Sequence, residues 1–227
     1  YSPALKNDCY YYPKNLGVNI GADKNVEDMK KTVNNTNAKI LQIHVNPIQE
    51  FMMTNGDINF SMWEENIRQA VNQIKIPIIL KETGFGMGDE TFLKAISLGI
   101  KTVDISGKGG TDFSYIEDMR SSKDRKYLYE IGYSTKDSLI KSKKYQDKLE
   151  ILASGGIENP LDIVKCLSLG AKAVGISHYI LKLLYEKEDD DIIAILREWI
   201  YEIKAIMAIT NSKNIKELKD KWEEIWN

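Results

Sequence analysis

The stretch "ILASGGIENPLDIVKCLSLGAKAVGIS", Ile151 to Ser177, decides the fold. An apolar run of strand length stops at Ser154 and a Gly-Gly pair. Pro160 stands near the start of a helix, where its missing amide hydrogen is not needed. The amphipathic segment from Pro160 to Leu169 ends on Gly170, a residue suited to a helix C-terminus. A second apolar run, Ala171 to Ser177, follows. Strand, turn, helix, turn and strand in this order make a parallel β/α unit. Such units close (β/α)8 barrels, in which a phosphate commonly sits on the loops after the last two strands.

The same alternation extends back along the chain. Strand candidates cover 15–21, 39–45, 76–82, 100–106, 149–154 and 171–177. Amphipathic segments lie between them at 26–35, 63–74 and 90–98. Another helix is expected to begin near Ser134 or Thr135, both good N-caps. Six strands do not close an eight-stranded barrel, and the chain begins on Tyr1. The expected fold is therefore an α/β TIM (β/α)8 barrel of which this chain supplies about six units, strands three to eight. An open doubly wound sheet is the alternative. No linker divides the chain, so residues 1–227 read as one incomplete barrel domain. Its last part, 189–227, reads as two helices packed on the barrel or at a subunit interface, carrying Trp199, Tyr201, Trp222 and Trp226.

Composition narrows the function. The 227 residues are 43% hydrophobic and 28% charged, with a net charge of −2. No basic stripe suggests nucleic acid. The apolar run 192–209 is broken by Arg197, Glu198, Glu202 and Lys204, so it reads as an amphipathic helix and not a membrane span. The two cysteines, Cys9 and Cys166, have no metal-ligand spacing, and a reducing, cytoplasmic setting without a disulfide is expected.

Polar residues gather at the C-terminal ends of the strands, where barrels of this kind carry their chemistry. Asn19 ends the first strand. His44 and Asn46 end the second, with Gln49 and Glu50 just beyond. Lys81 ends the third. Asp104 and Ser106 end the fourth, before "GKGGT", Gly107 to Thr111. Ser154, Gly155 and Gly156 end the fifth, and Ser177 and His178 the sixth. Each has a plainer explanation. Asn19 caps a turn, His44 is a hydrogen-bonded core histidine, Lys81 pairs with Glu82 or Asp104, and the glycines serve tight turns. Their shared end of the sheet favours a site.

The motifs "LQIHVNPIQE", "IPIILKETGFGM", "VDISGKGGTDFSYIE" and "ILASGGIENPLDIVKCLSLGAKAVGI", in this order, resemble the type 2 isopentenyl-diphosphate Δ-isomerases. The resemblance implies an FMN-dependent barrel that interconverts isopentenyl and dimethylallyl diphosphates. It implies Mg²⁺, NADPH as the reductant that primes the flavin, and assembly as a homo-oligomer. Asn19, Lys81, Ser106 and Thr111 then correspond to FMN contacts. Gly155, Gly156, Ile157, Ser177 and His178 correspond to the cradle of the FMN phosphate. His44, Asn46 and Gln49 correspond to substrate contacts, Glu50 to the Mg²⁺ ligand, and Gln49, His44 and Lys81 to the catalytic set. The sequence departs from the family at "GYST", 132–135, and at Ser177-His178. The family's N-terminal diphosphate-binding segment would lie before Tyr1.

Overall fold

In the computed structural model, residues 16–56, 58–121 and 124–221 are described. Cys9, Trp222 and Trp226 lie outside them. Six strands form one parallel sheet in simple chain order: β1 (Gly17–Gly21), β2 (Ile40–Val45), β3 (Ile78–Glu82), β4 (Thr102–Asp104), β5 (Glu150–Ala153) and β6 (Ala173–Val174). Among the described residues β6 does not pair with β1. The arrangement is a barrel wall of six neighbouring strands.

Helices cover the outside. They are α1 (Val26–Thr36), α2 (Pro47–Met52), α3 (Trp63–Gln73), α4 (Asp89–Ser97), α5 (Phe113–Arg120), α6 (Thr135–Ser142), α7 (Pro160–Ser168), α8 (His178–Glu186), α9 (Asp189–Ile209) and α10 (Ile215–Leu218). Their starts follow local chemistry. Ser134 accepts from the Asp137 amide at 3.0 Å to cap α6, and Asn159 does the same for Asp162 at 3.0 Å on α7. Gly170, at φ +95°, turns the chain out of α7. The outward side chains of the strands, Leu41, Ile43, Leu80, Val103, Ile151 and Ala153, are buried against Met29, Ile67, Phe92, Leu139 and Leu169. Each Leu, Ile or Val among them contributes about 1.5–3 kcal/mol of burial. Val164 and Leu167 of α7 form a second cluster with Leu218 of α10, against Ile203, Ile206 and Met207 of α9. Trp199 is buried and stacks on Tyr179, while Tyr201 is exposed.

Four elements add to or differ from expectation. The Pro-containing segment after β2 is the short helix α2, because Pro47 supplies a first helical residue. Phe113–Arg120 and His178–Glu186 are helices in stretches to which the sequence reading assigns no helix. The last strand shrinks from 171–177 to Ala173–Val174, since this edge strand has one neighbour to pair with.

Candidate active site

The parallel register sets His44 beside Lys81, and Lys81 beside Asp104, in one row across three strands. Alternation turns this row to the concave face, opposite the buried aliphatic layer. There Lys81 Nζ donates to Asp104 Oδ2 at 2.8 Å and lies 3.4 Å from Ser154 Oγ. The other carboxylate oxygen, Oδ1, accepts from Ser154 Oγ at 2.7 Å and from the Ser106 amide at 3.2 Å. Asp104 is therefore the anion that Lys81 has in this structure. Ser106 adopts φ +33°, an uncommon conformation for a non-glycine residue, at the point where the strand turns into "GKGG". Such strain persists only where its surroundings fix it.

The glycine loops do more than turn. Gly155 has φ +96° and Gly156 φ +70°. A Cβ on Gly155 would overlap the Gly107 carbonyl, and one on Gly156 would lie 2.9 Å from the carbonyl carbon of Gly109. Two backbone loops are thus in direct contact. Thr135 Oγ1 donates to the carbonyls of Ser154 and Gly155 at 3.0 and 2.6 Å and locks the pair to α6.

His44 Nδ1 lies 3.1 Å from Asn19 Oδ1. With the amide oxygen toward the ring, Nδ1 carries the hydrogen. Burial holds the imidazole below its ordinary pKa, against the pull of the Asp23 and Glu50 carboxylates, so it is neutral near pH 7. Asn46 is buried and donates to Gln49 Oε1 at 3.0 Å across the start of α2. Glu50 follows on the same helix.

A cavity of about 240 Å³ opens at this end of the sheet. Asn19, Lys81, Ser106, Thr111, Gly155, Gly156, Ile157, Ser177 and His178 all line it. His44, Asn46, Gln49 and Glu50 do not. They stand beside it, joined to its wall through the Asn19–His44 contact. Ser154, expected at this end of the sheet, lines it too, while Thr83, Gly84, Phe113 and Glu158 also line the cavity and were not expected there. Alternation was the available signal for Thr83, two residues beyond Lys81. A larger hollow, about 990 Å³, lies between α3 and α4 on the outer side of β2 and β3. None of the expected site residues borders it, and size does not pick out the chemistry.

The sequence profile of the FMN-dependent dehydrogenase family matches residues 13–224. The isopentenyl-diphosphate delta-isomerase of Streptococcus pyogenes serotype M1 is 44% identical over 96% of this chain, which spans 69% of that protein's length. The chain belongs to the isopentenyl-diphosphate delta-isomerases of the FMN-dependent dehydrogenase family. Among solved structures, a mandelate oxidase variant has a TM-score of 0.61 at 12% identity, covering 91% of this chain and 63% of that one. A flavocytochrome b2 double mutant has a TM-score of 0.63 at 21% identity, covering 91% of this chain and 52% of its own. These two likenesses carry the TIM-barrel fold alone. No arginine is among the residues that line the 240 Å³ cavity here.

The cavity fits a flavin mononucleotide. Gly155 and Gly156 line the cavity, and their missing side chains let their loop lie directly on Gly107 and Gly109. Ser177 and His178, at the start of α8, line the cavity, so this helix brings its positive end to the rim. Lys81 and Ser106 add polar groups to the cavity lining. Metal is different. Among the described residues no cluster of three or more His, Cys, Asp or Glu is placed to hold an ion.

Proposed function

We propose that the full-length protein interconverts isopentenyl diphosphate and dimethylallyl diphosphate, with FMN in the 240 Å³ cavity. Supporting this is the convergence of all nine residues with flavin roles in the family on a single cavity, in a chain 44% identical to named isomerases. The reaction adds a proton to one carbon of the allylic system and removes one from another, so no net oxidation occurs. Reduced FMN, when bound, supplies the acid/base chemistry beside those carbons, and NADPH or another reductant would prime it.

The chain's own residues would position and neutralise. Lys81, kept in place by Asp104 and Ser154, would set a positive charge at the flavin's electron-rich edge. Gln49 would lie against the reacting carbons. His44 and Asn46 would bind the diphosphate end. Glu50 would hold Mg²⁺ together with diphosphate oxygens, an arrangement a hard cation accepts with a single protein carboxylate. A homo-oligomer is the expected assembly.

The test is an anaerobic assay of the full-length protein with FMN, NADPH and Mg²⁺. Isomerisation is expected, with large losses in Glu50→Gln and Gln49→Ala. Absence of isomerisation removes the proposal. Activity that survives both substitutions removes the roles of Gln49 and Glu50.

A further inference from the structure

We propose that Thr83 is a further flavin-contacting residue, its hydroxyl donating to the same edge of the ring system that Lys81 serves. The inference rests on FMN occupying the cavity.

Along the end of β3, alternation sends Lys81 and Thr83 to the concave face and Glu82 to the outer one. The structure agrees: Lys81 and Thr83 line the inner cavity, and Glu82 borders the outer hollow. Thr83 Oγ1 is buried and has no hydrogen-bond partner among the described residues. A buried hydroxyl without a partner has lost its water and gained nothing, whereas valine would fill the same volume without that loss. The hydroxyl therefore makes physical sense only with an acceptor that arrives from elsewhere. Protein crowds one side. A Cβ on the neighbouring Gly84 would lie 3.1 Å from the Thr111 carbonyl and 3.8 Å from the Phe113 ring. The open side is the cavity. Rotation about Cα–Cβ by one staggered well can carry the hydroxyl into the place of the methyl and the methyl into the place of the hydrogen, so the oxygen can turn to a ligand without backbone movement. A flavin ring offers carbonyl oxygens and ring nitrogens as acceptors along its edge. The substrate residues on α2 do not line this cavity, which favours the flavin over the diphosphate as partner.

The experiment uses full-length apoprotein titrated with FMN and followed by flavin fluorescence and absorbance. Thr83→Val is expected to raise the Kd about tenfold, equivalent to about 1.4 kcal/mol, and to shift the bound flavin's absorption. Thr83→Ser is expected to stay within about threefold of the parent. The Thr83→Val apoprotein is expected to melt no lower than the parent, because the orphaned hydroxyl is gone. If parent and Thr83→Val bind FMN equally tightly with the same spectrum, Thr83 has no such role while the flavin assignment stands. If the parent does not bind FMN, both fall.

Discussion

The flavin side and the α2 side of the site are held in different ways. On the flavin side backbone meets backbone: Gly155 and Gly156 lie against Gly107 and Gly109, and Thr135 fastens the loops from behind. The Lys81–Asp104–Ser154 group is largely buried beneath them. On the other side Gln49 and Glu50 ride a six-residue helix. An outer tie to that helix is Arg125, whose guanidinium sits 4.6 Å from the Phe51 ring centre and donates to the Phe51 carbonyl. The Arg125 amide in turn donates to Asp118 at 3.0 Å, which also accepts from the Tyr129 hydroxyl at 2.6 Å. Phe51 is exposed. Exposed ties open at low free energy and interlocked loops do not. A cofactor that stays bound suits the second kind of wall, and a substrate that exchanges each turnover suits the first.

The largest effect should come from Asp104→Ala. It strands a mostly buried lysine and is expected to cost about 3–5 kcal/mol in urea unfolding. A cost below about 1 kcal/mol would mean that Lys81 does not depend on this acid and that the flavin side is looser than described.

Next comes Glu82, which sharpens the comparison because it adjoins Lys81 yet forms no ion pair among the described residues. Its carboxylate accepts from backbone, with the Gly84 and Phe85 amides at 2.7 and 2.6 Å. Burial pushes its pKa up from 4.5 to about 7, against the pull of those amides and of Lys81. A carboxyl whose folded pKa is raised keeps the protein protonated where the unfolded chain has released its proton. Its contribution is therefore full below about 4.5 and is lost as pH rises through about 7. The loss should reach at most about 3 kcal/mol, and Glu82→Gln should flatten this part of the stability profile. An unchanged profile would show that the outer acid does not titrate in this window.

Gly155→Ala should follow, at about 1–3 kcal/mol from the left-handed backbone alone, with a matching fall in melting temperature and loss of FMN binding. Gln49→Ala on α2 should change stability by less than about 0.5 kcal/mol while abolishing turnover. Equal melting temperatures for the two variants would erase the contrast between the walls.

A small stability effect is also expected from Arg125→Ala, under about 1 kcal/mol. Its signature should be faster amide hydrogen exchange confined to residues 47–53, with the glycine loops unchanged. Exchange that stays slow there would show that Arg125 does not hold α2.

Much of this was legible in the sequence. Period-two and helical spacing marked all six strands and the core helices within a few residues, because both patterns are local. Ser134 announced itself as a cap by its residue type. Helix α2 escaped because six residues are too few to display a helical period, and because Asn46 bonds Gln49 instead of capping the helix. The partner of Lys81 stayed open between Glu82 and Asp104. Glu82 points to the opposite face, and only the register of β3 against β4 brings Asp104 alongside. Ser106 carries no mark in the sequence of its unusual backbone. Its conformation is imposed by the Asp104 carboxylate that its amide meets and by the loop that follows.

The sequence by itself determined the order of strands and helices and which face of each strand is polar, since these depend on spacing along a few residues. The tertiary structure alone decided that Lys81 shares Asp104 with Ser154, that two glycine loops touch, and that the Thr83 hydroxyl is left without a partner among the described residues. Each depends on how strands far apart in the chain are brought side by side. Spacing along the chain cannot encode such a contact, which is set by the register of neighbouring strands and by the close approach that missing side chains allow.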